Sequence, residues 1–492
     1  MHRKAVSLLV LGLLALASAC KSSQSSTPGP GDDTPGVTTW PLDPPAAICD
    51  TPGMLTGPAT APAGSVVVPV GDNSAFFENE SYKQEAAAGT VYWFAPGVHQ
   101  IGDGEYGQIM PASNTTFIGA PGAILDGSGV NRYAFTGKAT GVRVAYLEIR
   151  NFGGGMNGIH DEGVVNHDAG EGWIIEHNDM HHNGGAAAFV GTHGTLRYNC
   201  LHHNGQYGFQ SGGGSTDLVV DQNEIAYNNQ GDAETQQPGC GCTGGCKFWE
   251  SKRARVTNNW VHHNLGAGLW ADTNNAEFLF EGNLIEDNDS AGIFYEISFN
   301  FMIRYNTLRR NNVARGLQES EGFPWGAIYI SEAGGDSRAG SVYTTSEIHH
   351  NLLEDNWDGI VLWENADRFC RPAEAASDVT AGCPFFDQTF GTRFKTQNVS
   401  VHDNVFRFDK TKVGCTGIYC GRNGIFSNWG VNATYHADVI QNAITKQQNN
   451  HFANNTYVGP WAFTVFDQSD PKTWAVWRAV PWGQDAGSTL SQ

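Results

Sequence analysis

The chain has 492 residues, with charged residues at 16% and 61 glycines. Lys plus Arg is 29 and Asp plus Glu is 50, a net charge of −21. So acidic a surface argues against nucleic acid as a partner, and an anionic substrate would need a cation or a local Lys or Arg to meet it.

The first segment, "MHRKAVSLLVLGLLALASAC", places Arg3 and Lys4 before an apolar run and small residues before Cys20. The run is too short to span a bilayer and ends in a cleavage pattern, so residues 1–20 read as a signal peptide. Cys20 after two small residues resembles the bacterial lipobox, although Ala17 stands where Leu is usual. It implies lipidation at Cys20, so that the membrane is met only through an N-terminal lipid anchor, with a monomeric protein on the cell envelope or secreted. Residues 21–47, rich in Ser, Pro and Gly, read as a disordered tether. Nine further cysteines suit an exported protein, with Cys370–Cys383 and Cys415–Cys420 as local pairs. Nine is odd, so at least one thiol stays free or pairs between chains. "CGCTGGC", Cys240 to Cys246, lacks the second ligand pair of a zinc site.

Residues 48–121 contain strand-like runs such as "GTVYWFAPGVHQI", Gly89 to Ile101, and read as an N-terminal cap with the first coils. From there to residue 460 the chain repeats a pattern of paired asparagines. The first falls at Asn178, Asn199, Asn223, Asn259, Asn283, Asn306, Asn351 and Asn404. The second falls five residues later, at Asn183, Asn204, Asn228, Asn264, Asn288, Asn311 and Asn356. A period of 21 to 24 residues where nothing is inserted signals a solenoid. Leucine-rich repeats would show fixed leucines, and helical repeats need helix formers. Here each unit holds short strands, "RVTNNWVHHN" (Arg255 to Asn264) and "AGLWAD" (Ala267 to Asp272), parted by Asn and Gly turns. Stacked units place equivalent residues about 4.8 Å apart. Asparagine tolerates left-handed backbone and can bond the asparagine of the next coil. The expected fold is all-β: a right-handed parallel β-helix with long loops flanking one sheet. The Trp-rich residues 461–492 would cap its far end.

These repeats resemble the pectin-lyase-like right-handed parallel β-helix superfamily, over roughly Gly122 to Tyr457. "GLWADTNN", "GIFYEIS" and "VLWENADRFC" look like secreted bacterial β-helix repeat proteins described mainly by fold. The resemblance implies a polysaccharide lying in a surface groove.

The strand after the second asparagine reads "CKFWES", "GLWAD", "GIFYE", "AIYIS" and "GIVLW" in successive coils. Alternation sends Leu269, Ile293, Ile328 and Ile360 inward, with Phe248 as their equivalent. Trp249, Trp270, Phe294 and Tyr329 then form an outward aromatic ladder, a sugar-stacking row or a satellite core beneath loops. Two positions on, Asp272 and Glu296 also point outward on adjacent coils. Like charges so close repel unless they share a proton or bind a cation. Insertions at Asn229–Gly244, Asn311–Trp325, Ala333–Tyr343 and Asn365–Asn398 would wall a cleft.

Three chemistries fit. A lyase or epimerase would use Lys247, or less readily Lys252 or Arg253, as base or charge neutraliser, with Ca²⁺ held by Asp272, Asn275 and Glu296. A retaining glycoside hydrolase would use Asp272 and Glu296, though the acidic signatures of pectin hydrolases are not seen. A non-catalytic glycan-binding or adhesive surface protein is the rival of another class. Glu332 and Glu364 lie one residue past the acidic column, at the core edge or extending the site. Of the "HHN" turns, His181 and His202 either bind a metal or are ordinary turn residues.

Overall fold

The computed structural model describes residues 44–77, 89–153, 163–229, 231–236, 244–318, 322–340, 342–364, 386–387, 392–428, 442–467 and 471–492. Cys240, Cys242, Cys370, Cys383 and the lipobox lie outside them. Among the described residues, parallel sheets of 13, 14 and 11 strands run the length of a right-handed parallel β-helix. One coil comprises Arg255–Thr257 in the first sheet, Trp260–His262 in the second and Ala267–Asp272 in the third. The next coil lies directly above it, with Arg255 paired to Leu279, Trp260 to Leu284 and Leu269 to Ile293.

Alternation fills the interior. Leu269, Ile293, Ile328 and Ile360 are in register and fully buried, as are Val256, Phe280, Ile303 and Ile348 in the first sheet. Each such side chain contributes about 1.5–3 kcal/mol relative to an exposed one.

The asparagines form two continuous ladders. Asn259 shows the unit: Nδ2 donates to Asn283 Oδ1 at 3.0 Å and to Val220 O at 3.0 Å. Its Oδ1 accepts from the N–H and Nδ2 of Asn223. Every polar atom of a buried amide is thereby matched. The first ladder extends to Asn455, and the second runs from Asn183 to Asn356. The expectation of left-handed backbone is displaced by one residue. The residue before each ladder asparagine carries it: Tyr198 (φ 55°), Asn258 (φ 54°) and His263 (φ 53°). The asparagine itself stays in an ordinary region, turned inward where its amide meets the ladder.

Cys415–Cys420 is a disulfide, as the spacing suggested. A second bridge, Cys49–Cys200, spans 151 residues of sequence. It fastens a segment that runs back over several coils, with Met54 O bonded to His177 and Pro58 O to Trp93. Cys246 is a free thiol in the core, pushed up to about 12 by burial, so it is no nucleophile. At the far end the helix Trp474–Arg478 buries Trp477 against Phe452 and Phe463. No helix among the described residues is long and apolar enough to cross a membrane.

Candidate functional site

The third sheet carries two outward columns. In the first, Lys247, Trp270, Phe294, Tyr329 and Val361 are consecutive Cα partners. The Trp270 and Phe294 rings stack at 5.2 Å, and Phe294 and Tyr329 at 4.8 Å. In the second column Asp272, Glu296, Ser331 and Trp363 follow one another.

Lys247 joins the two columns. Its Nζ lies 4.0 Å from the centre of the Trp270 ring and 2.9 Å from Asp272 Oδ2. The side chains of Lys247 and Asp272 are 15% and 17% exposed, so the pair is held at the surface yet largely dehydrated. A cation over a tryptophan face is worth about 2 kcal/mol when desolvated. The ammonium also answers the repulsion expected between Asp272 and Glu296, since one of the two carboxylates is already neutralised. Trp270 Nε1 is buried and has no hydrogen-bond acceptor among the described residues, an unmatched donor beside the acidic column.

Several expectations need correction. Phe248 is not the equivalent of Leu269: Cys246 takes that position, and Phe248 pairs with Ala271. Lys247 therefore holds the place in the ladder expected for Trp249. Trp249 instead packs back over Gly212, where a Cβ would overlap its ring, and meets Phe189 edge-on at 6.2 Å. Tyr329 is in the ladder but only 2% exposed, because Phe323 and Trp325 pack against it at 6.1 and 5.9 Å. It belongs to a satellite core with Val361 and Phe426.

Asn275 is not a free ligand. Its Oδ1 accepts from Ser251 N–H at 3.0 Å, and its Nδ2 donates to Asp272 O and Ser298 Oγ, a third turn ladder. With that oxygen engaged and Asp272 paired to Lys247, the described residues at this place do not make up the six to eight oxygens of a calcium site. Glu332 and Glu364 are buried. Glu364 accepts from Thr396 N–H and Gln448 Nε2, and Glu332 from the Ser331 hydroxyl. Both are structural anchors. His181 and His202 stack at 4.8 Å, but their Nε2 atoms face Glu148 and Asp179. Asp179, Cys200 and His202 lie close enough to share an ion, yet the Cys200 sulfur is in the bridge to Cys49.

The loops divide unevenly around the sheet. Beyond the helix Val313–Gln318, the insertion after Asn311 covers Tyr329, with Arg315 lying 4.0 Å over Trp325. The loop beginning at Ala333 turns toward the first sheet, where Val342 and Tyr343 N–H groups bond Glu277. Most of Asn365–Asn398 and part of Asn229–Gly244 lie outside the described residues. The described patch is thus Lys247, Asp272 and Phe294, each half-buried, over Trp270 and Glu296, which are only 9% and 5% exposed, and it is bounded on one side by a covered aromatic cluster.

A comparison with curated proteins finds no match. Among solved structures, the A-module of Azotobacter vinelandii mannuronan C-5 epimerase AlgE4 is similar over 70% of this chain and 87% of its own, at 16% identity and a TM-score of 0.47. The A-module of mannuronan C-5 epimerase AlgE6 from the same organism covers 70% and 85%, at 14% identity and 0.42. The Agl-KA catalytic domain covers 88% and 69%, at 11% identity and 0.44. The family described as "Right handed beta helix region" matches residues 157–323. The chain therefore carries a right-handed β-helix region, in agreement with the three-sheet coil its strand pairing describes.

Proposed function

We propose that this protein is carbohydrate-active, and that the wall around Lys247 acts on an acidic polysaccharide by elimination or epimerisation. The observation that supports this reading is one cation, Lys247, held between an aromatic face and a carboxylate with a second carboxylate in register alongside. In this reading the Lys247 ammonium meets a uronate carboxylate, and Asp272 fixes the ammonium in place. Glu296 takes the proton from the carbon beside that carboxylate. The electron pair left behind is stabilised by the neighbouring ammonium. It then expels the glycosidic oxygen, which takes up the proton held by Glu296 and leaves an unsaturated sugar, or it takes a proton from water on the opposite face, giving the epimer, with the Glu296 proton returned to solvent. Trp270 and Phe294 support the sugar ring, and the unmatched Trp270 Nε1 offers a donor to one of its oxygens.

A second reading rests on the register of Asp272 and Glu296. Adjacent coils set Asp272 and Glu296 side by side as Cα partners, and a retaining glycoside hydrolase needs two neighbouring carboxyl groups, about 5–5.5 Å apart.

The test is incubation of the full chain with a panel of acidic and neutral glycans. New absorbance from an unsaturated uronate marks elimination. Deuterium uptake from D₂O without chain cleavage marks epimerisation. New reducing ends without that absorbance support the hydrolase. Retention without product supports a binding protein. Asp272→Ala and Glu296→Ala are expected to abolish turnover with the fold intact, and full turnover in both variants removes the site.

A further inference from the structure

The second sheet and its turn hold histidines in hydrogen-bonded pairs. Nδ1 lies 2.7 Å from Nδ1 in His181–His182 and in His202–His203, and 2.9 Å in His262–His263. The inner ring of each pair also faces a carboxylate. His202 Nε2 is 3.0 Å from Asp179 Oδ1, His262 Nε2 is 3.2 Å from Glu224 Oε1, and His181 Nε2 is 3.4 Å from Glu148 Oε1.

This network assigns the tautomers. An ionised carboxylate only accepts, so the inner Nε2 carries a hydrogen and the inner Nδ1 of a neutral ring is a lone pair. The outer ring must then donate its Nδ1–H inward. Its Nε2 is left as a lone pair on the outer edge. A ring nitrogen prepared by a hydrogen bond at the other nitrogen, itself backed by a carboxylate, is the arrangement that orients histidine as a metal ligand.

Two such outer rings are adjacent. His182 and His203 sit on consecutive coils with centroids 5.4 Å apart and planes within 4°. Both line an open hollow of about 590 Å³ whose neighbours Gly184 and Gly205 carry no side chains. His263, by contrast, is separated from His203 by the Tyr227 ring, which stacks on both. A sister column one turn away stacks just as closely, Tyr146–His177–Tyr198 at 4.9 Å, but His177 spends Nδ1 on Met54 O and its stacking neighbours are tyrosines rather than a second imidazole. Ring stacking is common to both columns; what sets His182 and His203 apart is a pair of adjacent outward Nε2 lone pairs.

We propose that His182 and His203 bind a divalent transition metal ion of the zinc class through their Nε2 atoms. Imidazole suits zinc, copper and nickel rather than calcium or magnesium. Metal–nitrogen bonds of about 2.0–2.1 Å place two ligating nitrogens about 3.3 Å apart, so two near-parallel rings with centroids 5.4 Å apart must tilt toward each other to share one ion. A tilt that pivots on Nδ1 leaves the relay to the inner histidines intact. Water fills the remaining positions, open to the hollow.

The test is calorimetric titration of the full chain with ZnCl₂ alone. One saturable class of binding is expected, weakened at least tenfold by His182→Ala and by His203→Ala, with circular dichroism unchanged because both rings lie at the surface. Asp179→Asn touches no metal but is expected to weaken binding by about tenfold through the His202 relay, an effect simple packing would not give. His263→Ala is expected to bind as the unsubstituted protein does. No saturable zinc uptake, undiminished uptake in the His182 and His203 variants, or an equal loss in His263→Ala overturns the proposal.

Discussion

Trp270 and Tyr329 occupy the same strand position with one coil between them, stacked through Phe294, yet they have different surroundings. Trp270 borders Lys247 and the acidic column, while Tyr329 lies beneath Phe323 and Trp325. Register makes the two rings neighbours in one row, and both are buried; the insertion after Asn311 covers the Tyr329 end with aromatic rings, while the Trp270 end is covered by the half-buried Lys247 of the adjoining coil. A repeat thus supplies a wall of equivalent positions, and loops select which part of it is covered.

The strongest way to break this difference is to unfasten the cover. Arg422 and Asp358 are both fully buried and ion-paired at 3.0 Å. Arg422 also donates to Gly322 O at 2.7 Å and Tyr419 O at 3.0 Å, tying two insertions to the third sheet. Arg422→Met leaves a buried carboxylate without its partner and is expected to cost about 3–5 kcal/mol. Chemical denaturation checks it, and a loss under 1 kcal/mol would mean the cover is fastened elsewhere. Phe323→Ala acts more locally. The ring touches Tyr329, Trp363 and Phe426, and its removal is expected to cost about 3 kcal/mol. Acrylamide quenching of tryptophan should rise as Trp363 is uncovered, and unchanged quenching would refute the covering role.

Acid separates the two ends by another route. The coils that carry Val361 and Phe426 also carry His349 and His402, stacked at 5.1 Å. Burial, then the charges of His402 and His350, lowers His349 to about 3. The unfolded imidazole takes its proton near 6.5, so between pH 6.5 and 3 the unfolded chain binds more protons and stability falls as pH falls. Each unit is worth about 1.4 kcal/mol, or about 2 kcal/mol between pH 6.5 and 5. His402 is shifted upward, chiefly by its bond to Glu347, so its contribution is present below 6.5 and is lost as pH rises through its folded value. His349→Gln should flatten the acid slope in denaturation curves measured across this range, and an unchanged slope would place its origin elsewhere.

The scaffold was legible because its signals are periodic. Asparagines at fixed spacing announced the ladders, and alternation placed Leu269, Ile293, Asp272 and Glu296 on the faces they occupy. The failure at Lys247 has a physical cause. A strand pattern repeats every two residues, so sliding "CKFWES" by two leaves every inward residue inward and every outward residue outward. Cys246 and Phe248 are both inward, and alternation alone cannot say which one pairs with Leu269. The long insertion before Gly244 removed the residue count that would have fixed the register. Asn275 misled for a different reason. An asparagine beside two acids looks like a ligand, but in this fold a buried turn asparagine is committed to the coils on either side. The cover over Tyr329 is not legible in the sequence, because short-range patterning carries no information on where an insertion folds.

The corrected register gives the smallest and most discriminating prediction. If the working row starts at Lys247 and runs through Trp270, then Trp249 lies outside it, although it is the tryptophan nearest in sequence. Trp249→Phe keeps an aromatic ring over Gly212 and should alter glycan affinity less than threefold. Trp270→Phe keeps the stack on Phe294 but removes Nε1 and the larger face beneath Lys247, and should weaken affinity several-fold, in the range of about 0.5–1.5 kcal/mol for an aromatic contact. Binding to whichever glycan the panel selects, measured side by side for both variants, separates the two registers. A larger loss at Trp249 than at Trp270 would mean that the sugar lies two residues further along the strand, over the coil that bears Gly212, and that Lys247 is only its neighbour.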